Sequence, residues 1–149
     1  DQVEMLGTIR THNAETRELV HQRVREIVEN TAASFGAGAQ VELDILYPVT
    51  VNHADICFMM QPALEKAAGK DQVSKMNPVM AAEDFSFFLN EIPGMFFFLG
   101  IDPDGVDQNE VAPNQSTRFQ INYSGLIYGV RAFSYMVLEY SKTKSHSMH

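Results

Sequence analysis

Few side chains in this sequence are equipped for chemistry, and they are dispersed. The five histidines, His12, His21, His53, His146 and His149, include no pair at the local spacing of a zinc site within an ordered element. An isolated histidine is more often a surface or satisfied residue than a ligand, which is the default for His12, His21 and also His53. His53 stands apart from them because it opens a helical stretch beside Asn52 and Asp55. Glu83 and Asp84 place two carboxylates at the start of a predicted helix, where the macrodipole favours negative charge. Capping is their default role, and support of a metal or a substrate from behind is the functional alternative.

The common catalytic and nucleotide motifs are missing. No Gly-x-Ser-x-Gly elbow, Walker loop, Gly-x-Gly-x-x-Gly or His-Glu-x-x-His occurs. Asp102-Pro-Asp-Gly105 has its glycine two positions too early for a calcium loop and lacks the closing glutamate, so it reads as a plain turn. Gly36-Ala-Gly38 follows a helix, which makes it a C-cap rather than a phosphate cradle.

The elements that would position these residues follow from periodicity. Val3 to Thr11 alternates with period two, broken by Leu6, and Val41 to Tyr47 alternates likewise up to Pro48; both predict half-buried strands. Between them, Asn13 caps a helix with Glu15 in its first turn and an apolar stripe of Val20, Val24, Ile27, Val28 and Phe35. After Pro48, Ala54 to Ala67 reads as helical, with Pro62 expected to kink it or start a new helix. A short strand at 78–80, a helix at 83–91 and a buried strand at 95–99 follow. Residues 101–120 form a long polar loop of the kind that often carries function. The last helix is predicted over 123–141, with a polar tail beyond it.

Composition narrows the function classes. With 149 residues and 45% hydrophobic side chains, the chain can bury a sizeable core. A net charge of -8 with 11 scattered basic residues excludes a sequence-independent grip on nucleic acid, which needs clustered Lys and Arg. No apolar run approaches the ~20 residues of a membrane span, and Asp1-Gln-Val-Glu4 does not resemble a signal peptide, so the expected compartment is the cytoplasm. The single cysteine, Cys57, forms no internal disulfide, and the two Asn-x-Ser sequons at Asn114 and Asn122 would matter only after secretion.

Five segments in order resemble the aminoacylase and hippurate-hydrolase-like amidohydrolases, a metallopeptidase-like family. Gly7-Thr-Ile-Arg-Thr11 with Asn13-Ala-Glu-Thr-Arg17 is similar to the strand-to-helix passage of the family's lid or dimerisation domain, and Tyr47-Pro-Val-Thr-Val-Asn52 to its return to the catalytic domain. Ala82-Glu-Asp-Phe-Ser86, Ile92-Pro-Gly94 and Phe96-Phe-Phe-Leu-Gly100 resemble later parts of that domain.

The resemblance implies an α/β fold: half of a ferredoxin-like lid over 1–47, the C-terminal part of a zinc-peptidase-like α/β/α catalytic domain over 48–142, and a flexible tail over 143–149. It also implies hydrolysis of N-acyl or N-aroyl amino acids with a divalent metal, Zn or Mn, whose principal ligands belong to an N-terminal portion absent from this sequence. Glu83, Asp84 and Asn52 would then approach substrate or support the site from behind. The family's loop pattern Asn-His-Ser-Pro-x-Phe stands here as Asn114-Gln-Ser-Thr-Arg-Phe119, which puts Gln115 at the position of a metal-binding histidine. A carboxamide offers a metal only a neutral oxygen, so affinity should fall, and the isolated chain is expected to be inactive and to bind no metal. The alternative is a non-catalytic binding or assembly module of the same fold. On that alternative the Val3–Thr11 edge is expected to pair with a second copy or with the complementary N-terminal portion.

Overall fold

The structure, a computed structural model, describes residues 2–107 and 109–146, with the backbone alone for 144–146. Four helices carry its regular structure: α1 (Ala14–Ser34), α2 (Ala54–Ala68), α3 (Phe85–Glu91) and α4 (Leu126–His146). Short 3-10 turns at Lys70–Gln72 and Tyr123–Gly125 follow α2 and precede α4. The chain divides into two compact units, one of residues 1–52 and 76–94, the other of 53–75 and 95–149.

In the first unit, α1 begins where Asn13 Oδ1 accepts the Thr16 N–H at 2.7 Å. It ends in a Schellman motif: Gly36 takes φ 71° while the N–H groups of Gly36 and Ala37 return to the carbonyls of Ala33 and Ala32. Both ends are as the caps predict. The inner face consists of Arg17, Val20, His21, Val24 and Val28, whereas Ile27 and Phe35, expected on the apolar stripe, are exposed. Phe35 lies at the C-cap, outside the helical spiral, and so leaves the face that periodicity assigned to it. α3 begins at Phe85, two residues later than expected, and packs Leu89 and Ser86 inward.

In the second unit, α2 packs along α4 through Met60, Ala63 and Ala67, whose spacing places them on one face against Ala132. The small alanines let the two helices approach closely. Of the two outcomes expected at Pro62, a new helix is not found, since α2 runs through it as one helix. Pro62 lies on the exposed side, where water can satisfy the Phe58 carbonyl it leaves unpaired. α4 runs on to His146, beyond the expected end at Ser141. The Glu139–Lys142 ion pair, and Thr143 Oγ1 donating to the carbonyls of Glu139 and Tyr140, accompany this last stretch.

The strands expected over 3–11, 41–47, 78–80 and 95–99 form no ladder among the described residues. Alternation encodes which face a strand buries, but the ladder itself needs a second segment to receive its hydrogen bonds. One of the four nevertheless keeps a strand's two-residue repeat. Phe97 meets Phe133 with ring centroids 5.4 Å apart, a Cβ on Gly129 would come within 3.2 Å of Leu99, and one on Gly125 within 3.1 Å of Ile101. Two strand residues advance about 6.6 Å and four helical residues about 6.0 Å, so positions 97, 99 and 101 match 133, 129 and 125 in antiparallel register. Residues 95–101 are therefore an extended segment lying lengthwise on α4, with Gly125 and Gly129 opening the space it occupies.

Candidate functional site

In the first unit, the chain turns into α3 at Glu83 and Asp84. The Glu83 carbonyl accepts both the Ser86 N–H at 3.2 Å and the Ser86 hydroxyl at 2.6 Å, and the Asp84 carbonyl accepts the Phe87 N–H at 3.0 Å. The helix start is thus held by backbone oxygens and a fully buried serine. The Asp84 side chain makes no cap bond, and Glu83 Oε1 lies 3.5 Å from the Phe85 nitrogen, too long for a strong bond. Neither carboxylate is committed to strong capping: Asp84 is exposed and Glu83 half-buried. Asn52, in the same unit, is exposed. Buried here as well are His21, the Arg17 Nε and the Thr50 hydroxyl, the last two without a hydrogen-bond partner. Sequence reading passed over this group, although Arg17 and His21 lie four apart among the valines of α1, a spacing that puts them on the inner face.

In the second unit, His53 is half-buried at the N-cap of α2, and its ring makes no capping bond. The long loop is organised by local turns. Asp107 Oδ1 accepts from the backbone and side-chain nitrogens of Asn109, at 2.8 and 2.9 Å, and Gly105 takes φ 76° in the turn at Asp104. A shallow open depression of about 200 Å³ is lined by Pro103, Val106, Glu110, Val111, Ala112 and Arg118, among others, but not by Gln115.

Gln115 forms part of a tight turn. The Ser116 N–H donates to the Pro113 carbonyl at 3.0 Å, so Asn114 and Gln115 are the central residues, and Gln115 has φ 71°. Among non-glycine residues it alone, within the described residues, has a positive φ. This is the third position of a type II-like turn, where glycine or asparagine is usual, because a Cβ crowds the backbone there. A second turn follows at once: the Phe119 N–H donates to the Ser116 carbonyl, and the Ser116 hydroxyl accepts from the Arg118 N–H. Together they fix the backbone on both sides of Gln115 and leave its side chain exposed.

Among the described residues, no three His, Cys, Asp or Glu side chains converge as a metal site requires. The donors among the described residues do not by themselves fit a divalent metal. No helix in the described part is long and apolar enough to cross a membrane.

Comparison with known proteins gives these positions a context. The sequence model of Peptidase family M20/M25/M40 matches residues 5–139. The chain is 32% identical over 142 residues to thermostable carboxypeptidase 2 of Saccharolobus solfataricus, covering 95% of this chain and 35% of that protein. It is 31% identical to IAA-amino acid hydrolase ILR1-like 2 of Arabidopsis thaliana, over 97% of this chain and 33% of the relative. With N-acetyldiaminopimelate deacetylase of Streptococcus thermophilus, identity is 37% over 75% of this chain and 30% of that enzyme. The chain therefore spans about a third of the length of the curated relatives it matches.

Proposed function

Because the chain belongs to Peptidase family M20/M25/M40, whose relatives here are hydrolases, we propose that it is the C-terminal portion of a metal-dependent amidohydrolase acting on N-acyl or N-aroyl amino acids. The observation that carries this reading is the family match over residues 5–139, with relatives named for amide cleavage. Membership implies an α/β peptidase-like domain. Within it we assign 1–47 to half of a ferredoxin-like lid, 48–142 to the C-terminal part of the catalytic domain and 143–149 to a tail. The expected compartment is the cytoplasm.

Family members generally use divalent metals, and hydrolysis of an unactivated amide needs an activated water, a base and stabilisation of the tetrahedral oxyanion. Among the described residues no donor set for such a metal converges, so no step of the reaction is assigned to this chain alone. Its contribution is positional. Glu83 and Asp84 offer two weakly committed carboxylates at a fixed helix start, suited to orienting a substrate amide N–H or a ligand's imidazole N–H. Asn52 offers a carboxamide to a substrate carboxylate or amide. Gln115, at the position of the family's metal-binding histidine, offers one neutral oxygen from a backbone pinned by two consecutive turns. The purified chain supplied with Mn or Zn should show negligible turnover of hippurate and N-acetyl amino acids; robust turnover would remove the incomplete-site reading. A non-catalytic assembly role for the same fold is the second reading, and it follows if Gln115 stands where the family carries a metal-binding imidazole.

A further inference from the structure

An aspartate carboxyl can be attacked by the backbone nitrogen of the next residue, which closes a succinimide ring. The step needs an N–H that no hydrogen bond holds, a carboxyl equally unheld, and a next residue whose side chain does not crowd the approach. Of the eight aspartates, Asp104 alone precedes a glycine, and no asparagine precedes one. Gly105 has no Cβ to obstruct the nitrogen, and a Cβ built there would meet none of the described residues within 4 Å. Asp104 and Gly105 are both exposed, and among the described residues neither the Asp104 carboxylate nor the Gly105 N–H has a hydrogen-bond partner. Their turn, with Gly105 at φ 76°, also lacks the closing bond from the Val106 N–H to the Pro103 carbonyl. No hydrogen bond therefore has to break before rotation at Asp104 brings nitrogen and Cγ together. Other aspartates show what this site has. Asp102 is followed by Pro103, which has no N–H. After Asp71, the Gln72 N–H donates to the Gly69 carbonyl at 3.1 Å. The Asp107 carboxylate is held by both nitrogens of Asn109.

We propose that Asp104–Gly105 is a site of spontaneous covalent modification, at which the chain rearranges from an aspartyl to an isoaspartyl linkage without enzyme or cofactor. The Gly105 nitrogen bonds to Asp104 Cγ as the bond from Cγ to its hydroxyl breaks, and the hydroxyl leaves with the nitrogen's proton as water. A second water then opens the ring. Addition at the Asp104 main-chain carbonyl breaks that carbon's bond to nitrogen, leaves Gly105 attached through Cγ and frees the former main-chain carbon as a carboxylate. Addition at Cγ restores aspartate. One water leaves and one enters, nothing is oxidised or reduced, and the mass is unchanged. The charge is kept, but the backbone gains a methylene between Pro103 and Val106, two of the residues that line the depression in the 101–120 loop. The rearrangement thus reshapes that depression while the packing of α2 on α4 is left alone. It also creates a substrate for a class of enzyme. A methyl group transferred from S-adenosylmethionine to the new carboxylate gives an ester that recloses the ring with loss of methanol, so the implied partner is a carboxyl methyltransferase selective for isoaspartate. The inference uses the residues of the turn alone and is independent of the hydrolase reading.

The test incubates the whole chain in mildly acidic buffer made with oxygen-18 water, beside a parallel sample in urea, and maps peptides over time. Each ring opening inserts one heavy oxygen, and the isoaspartyl peptide separates chromatographically from its aspartyl isomer. The expected result is heavy oxygen and isoaspartate at Asp104 in a native sample that keeps its helical circular dichroism. The native rate should lie within about threefold of the rate in urea, because a turn without hydrogen bonds opens at almost no free-energy cost. Asp71 and Asp107 should stay unlabelled in native buffer. The product should accept methyl groups from S-adenosylmethionine when an isoaspartate-selective methyltransferase is added. Asp104→Glu keeps the charge but needs a larger ring that forms far more slowly, so it should abolish both signals. Asp104→Asn should give the same isoaspartyl product faster, with ammonia as the leaving group. The proposal is overturned if Asp104 stays unmodified in native buffer, and a reaction confined to urea would then show that the fold protects the turn. It is equally overturned if Asp71 or Asp107 reacts as fast as Asp104 in native buffer, since the structure would not then select the site.

Discussion

Replacing Gln115 should stabilise the second unit, which is unusual for a single substitution at a position with family resemblance. At φ 71°, as the third residue of the 113–116 turn, Gln115 carries a Cβ where the backbone has little room for one. A non-glycine residue in the left-handed region costs about 1–2 kcal/mol, and asparagine relieves much of this through local hydrogen bonding. Glycine removes the strain but loses about 0.5–1 kcal/mol more conformational entropy on folding. The side chain is exposed, so no packing is lost in either case. Gln115→Asn and Gln115→Gly are each expected to gain about 0.5–1 kcal/mol, and Gln115→Val to lose at least about 1 kcal/mol. In urea, with a slope of about 1–3 kcal/mol per molar, the favourable changes move the midpoint up by roughly 0.2–1 M. The reasoning fails if asparagine and glycine leave the midpoint unchanged while valine is tolerated. The turn would then not hold a left-handed residue in solution, and the local strain would be absent.

Three further outcomes follow from named contacts. Asn13→Ala removes the acceptor that holds the Thr16 N–H at 2.7 Å and should cost about 1 kcal/mol, read as a lowered urea midpoint with α1 frayed at its first turn. Met60→Ala empties a site only 3% exposed between α2 and α4 and should cost about 2–4 kcal/mol, with ring signals of α4 shifting in NMR spectra. Gln115→His should raise Zn or Mn affinity only slightly in the isolated chain but markedly once the remaining family ligands are supplied, since catalytic zinc usually takes three protein ligands. Titration calorimetry of both variants in both settings distinguishes the cases, and equal affinities with the ligands present would mean that Gln115 lies away from the metal position.

Local chemistry explains which features the sequence made legible. α1 was readable at both ends because Asn13 and Gly36 satisfy orphan backbone groups within a few residues of themselves. α2 and α4 were readable from their apolar spacing, and Pro62, expected to kink α2 or to start a new helix, lies inside it. Strands were expected at 3–11 and 41–47 from alternation and at 95–99 from an apolar run, and segment 95–101 does meet α4 with every second residue. Their ladders were not legible, because a strand's partners lie far away in sequence. For the candidate site, residue types pointed to Glu83, Asp84 and the 101–120 loop. The positive φ of Gln115 was invisible, since a turn of this kind usually announces itself with glycine or asparagine at that position. The backbone-held start of α3 was equally hidden, because Ser86 is an ordinary residue in sequence and acts there through its burial.

The chain belongs to the M20 family, and the central proposal is that its described residues do not by themselves house the family's metal centre. Calorimetric titration of Zn and of Mn into the purified chain tests it most directly, using a version ending at Ser141 to remove His146 and His149. The account predicts no saturable stoichiometric binding. One or two metal ions bound tightly per chain in the shortened version would contradict it.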